Sequence, residues 1–364
     1  MRDNSLYRKV YGEILTDIRS GRVKNGDRLP TEGELSGRYG VSLITVKKAL
    51  SLLSEEGYVR RVPGKGSFIT EASSRKDNAE QKNPGALPLI GLVFEHATTP
   101  FGLETIYTLD KLAAERGCKL VIGFSYGDRE KETREIQTLI ATGVKGIIIM
   151  PSHGKYYSTD ILRLVVENYP VVLIDKQLEG IPVSSVCTDN GNAAAILVRH
   201  LHEAGRRRIG MISTANFGTS SVEERREGFF SQLRVLSLEP GPECRPDIRR
   251  FDLSIDDTPY ETIHDYLRDN IHLLDAVFCS EYGFVPHLAK AAVELDIAIP
   301  RNLAVCCVDE DYLAPGGFFF THARQDEAAI AERAMGLMLD MLDGKKETAR
   351  RYDIPAIFRQ GRST

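Results

Sequence analysis

The 364-residue sequence predicts an α/β protein in two parts: a small helical N-terminal unit, and a larger two-lobed body with doubly wound parallel sheets. Three observations carry this. Before residue 71 the apolar period is helical and capping signals lie close together. From residue 88 onward, short wholly apolar runs alternate with longer amphipathic stretches, the rhythm of repeated βα units. About 275 residues of such units exceed the usual needs of one sheet, so two lobes with a cleft between them are expected.

The N-terminal elements are legible one by one. Leu6, Val10, Ile14 and Ile18 recur every four residues and predict a helix over 5–20, with Gly21 as its left-handed stop. Thr31-Glu32-Gly33-Glu34 is a capping-box pattern that opens a short helix through Leu35 to Tyr39. Gly40 permits a tight turn. Ser42 is placed to cap a third helix whose core face is Val46, Ala49, Leu50 and Leu53. Gly57 ends it. Tyr58–Val62 and Ser67–Thr70 are strand candidates around Pro63-Gly64-Lys65-Gly66, a hairpin turn. Helix, helix, turn, helix, hairpin is a winged helix-turn-helix over residues 1–70.

Residues 71–87 hold Ser-Ser, several charges, Asn-Pro-Gly and almost no apolar side chain, and read as a solvated linker. The body, 88–364, has strand candidates at 89–94, 119–124, 146–150, 171–174, 209–212, 276–279 and 303–308. Apolar throughout, these runs suit strands buried on both faces of a parallel sheet. Helical patterns lie between them at 104–116, 130–142, 190–204, 222–236, 284–295 and 323–342.

Composition narrows the class. The chain is 42% hydrophobic and 27% charged, and no apolar run reaches the length of a membrane span. The first residues, Met1-Arg2-Asp3-Asn4-Ser5, show no apolar h-region, so a cytoplasmic protein without a membrane partner is expected. The net charge of −4 is uneven: residues 1–70 carry +5 and the remainder −9. A basic head on an acidic body points to a head that meets a polyanion. Six cysteines, at 118, 187, 244, 279, 306 and 307, show neither CxxC nor metal-ligand spacing and read as reduced, buried thiols. No metal or cofactor is expected.

In a helix-turn-helix the last helix presents its N-terminal side chains to base edges in the major groove. Here those are Ser42, Leu43, Thr45 and Lys47, with Lys48 near phosphate, Lys65 and Gly66 on the wing, and Thr31 at the head of the second helix. The segments Leu29-Pro30-Thr31-Glu32, Tyr39-Gly40-Val41-Ser42, Thr45-Val46-Lys47-Lys48-Ala49-Leu50 and Gly64-Lys65-Gly66-Ser67-Phe68-Ile69 resemble the GntR-family winged helix across nearly all of residues 5–70. That resemblance implies binding to double-stranded operator DNA. Three positions depart from the family. It usually has arginine where this chain has Leu43 and Lys47, and commonly a basic residue at Gly33. Leu43 makes no bidentate guanine contact, and Lys47 keeps a charge without the planar fork.

The body resembles the effector domain of LacI-type repressors, which is similar to periplasmic sugar-binding proteins. The resemblance rests on the order and spacing of several segments. They are Leu89–Phe94, Val186-Cys187-Thr188-Asp189-Asn190, Gly205–Gly210, Glu224–Phe229, Asp275–Phe278, Ile299–Val305 and the ending Arg359–Thr364. It implies a sugar-like effector in the interlobe cleft, a homodimer, and a transcriptional regulator that releases DNA when the effector binds.

Ligands of open α/β sheets sit beyond the carboxyl ends of strands. That rule nominates Glu95, His96, Asp128, Pro151-Ser152-His153, Asp175-Lys176, Ser280-Glu281-Tyr282 and Asp309-Glu310-Asp311. Glu95 and Asp128 read almost equally well as helix caps, and His96 and His153 as polar loop residues. Sugars take planar charged partners for hydroxyl pairs and an aromatic wall for the C–H face. Arg225 and Asp309 fit the first need and match positions that contact ligand in LacI-type proteins, although a surface ion pair with Glu223, Glu224 or Glu227 is the other reading of Arg225. The family commonly has aspartate at Glu281 and often asparagine at Ser280. Phe101, Tyr282 or Tyr312 is expected to supply the wall, since the chain has no tryptophan. No HExxH or GxxxxGK[ST] motif occurs, so an enzyme is not expected. A regulator with a protein or phosphoprotein input, one that binds a non-sugar metabolite, and a carrier-type binding protein are the alternatives.

Overall fold

The computed structural model describes residues 3–19, 22–55, 57–62, 66–70, 87–154, 159–178, 180–215, 218–246, 258–310, 319–345 and 348–364. The linker segment 71–86, Lys65 on the wing, and Asp311 and Tyr312 lie outside them. The chain divides into two compact units, Met1–Ala86 and Leu87–Thr364.

In the first unit, α1 (Asp3–Arg19), α2 (Glu32–Tyr39) and α3 (Leu43–Glu55) precede an antiparallel hairpin, β1 (Val59–Val62) and β2 (Gly66–Ile69). Val59 pairs with Ile69 and Val62 with Gly66. Val10, Ile14, Leu35, Val46, Leu50, Leu53 and Val59 form one buried core, as the four-residue periodicity requires. Leu6, in the first turn of α1, is 41% exposed and lies outside it.

The second unit holds two six-stranded sheets. The first contains β3 (Leu89–Phe94), β4 (Lys119–Phe124), β5 (Ile147–Ile149), β6 (Val171–Ile174), β7 (Ser184–Thr188) and β13 (Arg351–Ile354), in the order β13-β7-β6-β5-β3-β4. All its pairings are parallel. Helices α4 (Leu103–Glu115), α5 (Arg129–Thr142) and α6 (Thr159–Val166) connect its strands. The second sheet contains β8 (Ile209–Ile212), β9 (Glu243–Cys244), β10 (Ala276–Cys279), β11 (Ala304–Val308), β12 (Thr321–Arg324) and β14 (Ile357–Arg359), in the order β14-β12-β11-β10-β8-β9. Only β14 runs antiparallel among its described pairings. Here α7 (Asn190–Glu203), α8 (Ser220–Val235), α9 (Thr258–Asn270) and α10 (Val285–Glu294) cover the sheet, whereas α11 (Glu327–Leu342) returns to the first.

The chain therefore passes between the lobes at 189, at 325–326 and at 355–356. These crossings form a hinge. Asp189 N donates to Ile354 O at 2.8 Å, and Thr188 Oγ1 donates to Gln325 Oε1 at 2.7 Å. The helix expected over 323–342 is shorter than its apolar pattern: residues 321–324 pair with β11 and β14 as a strand. Asp326 then caps α11 by accepting from Ala329 N at 3.0 Å. All six cysteines are buried and unpaired, and burial pushes the Cys187 thiol up to about 12.

Candidate functional site

The head presents α3 on a rigid turn. Thr31 and Glu34 make a reciprocal capping box: Thr31 N donates to Glu34 Oε2 at 2.7 Å, and Glu34 N to Thr31 Oγ1 at 3.3 Å. Gly40 ends α2 in the left-handed conformation, φ 64° and ψ 35°, which lets the chain turn sharply into α3. Ser42 opens α3: Thr45 N donates to its Oγ at 3.2 Å, and the two hydroxyls share a bond of 2.8 Å.

This changes the set available for contact. Thr45 is buried, and its hydroxyl is tied to Ser42, so it holds the helix start and does not face outward. Leu43 and Ile44 are 51% and 77% exposed. Lys47 Nζ lies 3.9 Å from Glu32, and Lys48 Nζ sits 4.4 Å from the Tyr7 ring centroid. Thr31 remains exposed beside α2, and Gly66 lies against the Arg28 side chain.

In the body the nominated residues gather at the carboxyl ends of both sheets. From the first lobe, Glu95 follows β3, Ser125 follows β4, Ser152 and His153 follow β5, and Asp175 and Lys176 follow β6. Lys176 ion-pairs with Glu95 and donates to Pro151 O at 2.9 Å. The other Glu95 oxygen lies 3.4 Å from His153 Nε2. From the second lobe come Ser213 after β8, Arg225 on α8, Ser280 and Glu281 after β10, and Asp309 after β11.

Arg225 is buried and held at two points. Its Nε donates to Asn190 Oδ1 at 2.8 Å, and its Nη1 to Ser280 O at 2.9 Å. It is no surface ion pair; of its neighbours, Glu224 is taken by Arg351 from the other lobe, with Arg351 Nη2 donating at 2.8 Å. Asp309 has φ 63° and is clamped to the hinge by Gln325, whose N and Nε2 donate to its two oxygens at 3.0 and 2.8 Å.

Burial raises the carboxyls of Asp309, Asp175 and Glu281; Arg225 opposes that rise at all three, and Lys176 at Asp175 and Glu281. Burial depresses His96 to about 4, with Lys176 adding to it, and lowers His153 in the same way, so both imidazoles are neutral near pH 7. The Oγ atoms of Ser125, Ser152, Ser213 and Ser280 are buried and make no hydrogen bond. An unpaired buried hydroxyl costs about 1–3 kcal/mol, so such groups collect where a ligand supplies the partner.

The two lobes also meet around this site. Gly154 N donates to Thr219 Oγ1 at 3.2 Å, and Gln177 N to Ser220 Oγ at 2.9 Å. Arg324 of the second sheet pairs with Glu104 of the first lobe. Within the first lobe, Glu327 of α11 accepts from Gly102 N at 2.8 Å and Thr105 N at 2.9 Å at the head of α4.

Some nominated residues are placed elsewhere. Asp128 is exposed and caps α5, accepting from Lys131 N at 2.8 Å, so the helix-cap reading describes it. Phe101 and Tyr282 are half-buried and pack against the cores of their own lobes. Glu310 binds Phe320 N at 2.8 Å. Ser125 and Ser213 fall outside the set nominated from sequence, yet each directly follows an apolar strand run, which was the usable signal.

Residues 90–346 match the periplasmic binding protein domain family. The chain belongs to that family. Its head, residues 6–69, matches the gntR family of bacterial regulatory proteins. Among relatives of this periplasmic-binding-protein-like chain is the arabinose metabolism transcriptional repressor of Halalkalibacterium halodurans. It is 24% identical, over 85% of this chain and 81% of its own. The sucrose operon repressor of Pediococcus pentosaceus is also 24% identical, over 91% and 98%. Among solved structures, a LacI transcriptional regulator from Alkaliphilus metalliredigens complexed with D-xylulofuranose superposes with TM-score 0.62 at 20% identity, covering 76% of this chain and 98% of that one. The Lac repressor bound to ONPG superposes at 0.64 with 16% identity, over 89% and 92%. These likenesses show the shared α/β fold with its N-terminal helix-turn-helix unit.

Proposed function

We propose that this protein is a transcriptional repressor, not an enzyme, that binds operator DNA through its head and releases it when a sugar occupies the interlobe cleft. The carrying observation is the set of buried hydroxyls without partners, Ser125, Ser152, Ser213 and Ser280, which lie just beyond the carboxyl ends of strands from both sheets, with Arg225 bonded to Ser280 O. A polyol supplies the donors and acceptors that these groups lack. The repressor names of the relatives and the sugar bound by the Alkaliphilus regulator support the same reading.

Among the described residues, Glu95, Glu132, Asp175, Glu281 and Asp309 share their surroundings with two cations, Lys176 and Arg225. That balance favours an uncharged sugar over a phosphorylated or acidic one. Ligand contacts from both lobes stabilise the closed form in which Thr219 and Ser220 meet Gly154 and Gln177. A homodimer in the cytoplasm presents two heads to two half-sites of a near-palindrome.

A thermal-shift screen of the full-length protein against pentoses, hexoses, sugar acids and phosphosugars tests the cleft. A sugar at 100 times its dissociation constant adds about 2.7 kcal/mol to the body, which raises its melting temperature by several degrees. A shift with a neutral sugar that Arg225→Ala abolishes is the expected result. No shift across the panel, from a folded baseline, removes the sugar reading and favours a protein input.

A further inference from the structure

We infer that Leu43 and Ile44 read thymine methyl groups in the major groove, so that the operator is recognised in part by apolar contact. This rests on the operator-binding reading proposed above. At about 100° per residue, Leu43, Ile44, Lys47 and Lys48 share one face of α3, opposite the buried Val46, Ala49, Leu50 and Leu53. Ser42 and Thr45, the polar residues flanking this pair, are bonded to one another. Thr45 is 5% exposed and turned into the fold.

The first turn of α3 therefore offers two branched aliphatic side chains, 51% and 77% exposed, where hydrogen-bonding side chains would otherwise meet base edges. The surrounding surface identifies the occupant. The head carries a net +5, and Lys47 and Lys48 continue the same face, which suits a groove walled by phosphates. In that groove the one apolar feature that distinguishes base pairs is the C5 methyl of thymine. A contact that buries one methyl is lost when thymine becomes uracil, at a cost of roughly fourfold in affinity.

The experiment uses the full-length protein and a random duplex library to select a binding sequence. Each dT of the selected duplex is then replaced singly by dU, and dissociation constants are read by fluorescence anisotropy at fixed salt. The expected result is a roughly fourfold loss at one or two thymine positions. Leu43→Ala or Ile44→Ala binds the dT and dU duplexes equally there. Because both side chains are exposed, neither variant removes core packing, and the scan of the unmodified protein is decisive without them. A selected duplex that tolerates dU at every position overturns the inference while leaving operator binding intact. A methyl effect that persists in both variants also overturns it, by assigning the contact to other residues. Failure to enrich any duplex removes the operator-binding reading itself.

Discussion

Gly228→Ala tests whether the crossing of α7 and α8 positions the effector residues. A Cβ built on Gly228 would lie 2.8 Å from both the carbonyl carbon and the Cα of Gly191, and nearer still to Gly191 O. All three are backbone atoms, so no side chain can rotate away. Ordinary contact begins near 3.4 Å, so the helices must part by at least about 0.6 Å. One helical turn before Gly228 is Arg225, and beside Gly191 is Asn190, joined at 2.8 Å. Separation at the crossing stretches this bond and shifts the guanidinium from Ser280 O.

Overpacking of this kind costs about 1–3 kcal/mol. For a unit of this size that is a fall of roughly 2–12 °C in melting temperature. Loss of the Arg225 geometry should weaken effector binding about tenfold, from one charge-assisted hydrogen bond of about 1.5 kcal/mol. Differential scanning calorimetry and titration calorimetry with the sugar found by screening read the two effects, with operator affinity as the control. A melting temperature within about one degree of the parent, together with unchanged sugar affinity, would refute the reasoning.

Three further outcomes are expected. Arg225→Ala and Asp309→Ala should keep operator affinity but raise the sugar concentration needed for release at least about tenfold, each losing a charge-assisted partner; a variant with the normal midpoint removes that residue from the site. Lys176→Ala leaves Glu95 buried beside a neutral His153 and should cost about 3–5 kcal/mol in denaturant unfolding, whereas a loss below about 1 kcal/mol would show that the pair is not an obligate buried one. Burial raises Glu327 to about 7 from a reference of 4.5, so its protonated form stabilises the body fully below pH 4.5, and that contribution is lost as pH rises through 7. Glu327→Gln is neutral throughout, so melting temperatures of variant and parent should diverge in the variant's favour between pH 4.5 and 8; a constant difference contradicts the shift.

The head was legible almost to the residue, because its elements carry local signals: the capping box at Thr31, the left-handed Gly40 and the four-residue stripe of α1. What periodicity did not show is that Thr45 turns inward. It lies at the edge of the buried face, and only the bond to Ser42 settles its direction. In the body the strands read from sequence are those whose runs are largely apolar, β5, β6, β10 and β11 among them buried throughout, whereas β4, at the sheet edge, carries exposed Lys119 and Ile122. Strands β7, with Ser184, Ser185 and Thr188, and the two-residue β9 escaped, as did β12, β13 and β14. The last three contain His322, Arg324, Arg351 and Arg359, and their pairing is fixed by distant partners. Among candidate site residues, the strand-end rule nominated Glu95, Ser280 and Asp309, which are buried just past their strands, and Asp128, which lies three residues beyond Ser125 and is taken up by the helix cap. The pairing of Lys176 with Glu95, 81 residues apart, has no local signature.

The most direct test of the account is operator affinity of the full-length protein, measured by anisotropy on a selected duplex with and without the sugar that shifts its melting temperature. Binding in the cleft should weaken operator affinity by about 5- to 150-fold, a coupling of about 1–3 kcal/mol, and operator should weaken sugar binding by the same factor. A sugar that binds the body and leaves operator affinity unchanged would contradict the coupling of cleft to head.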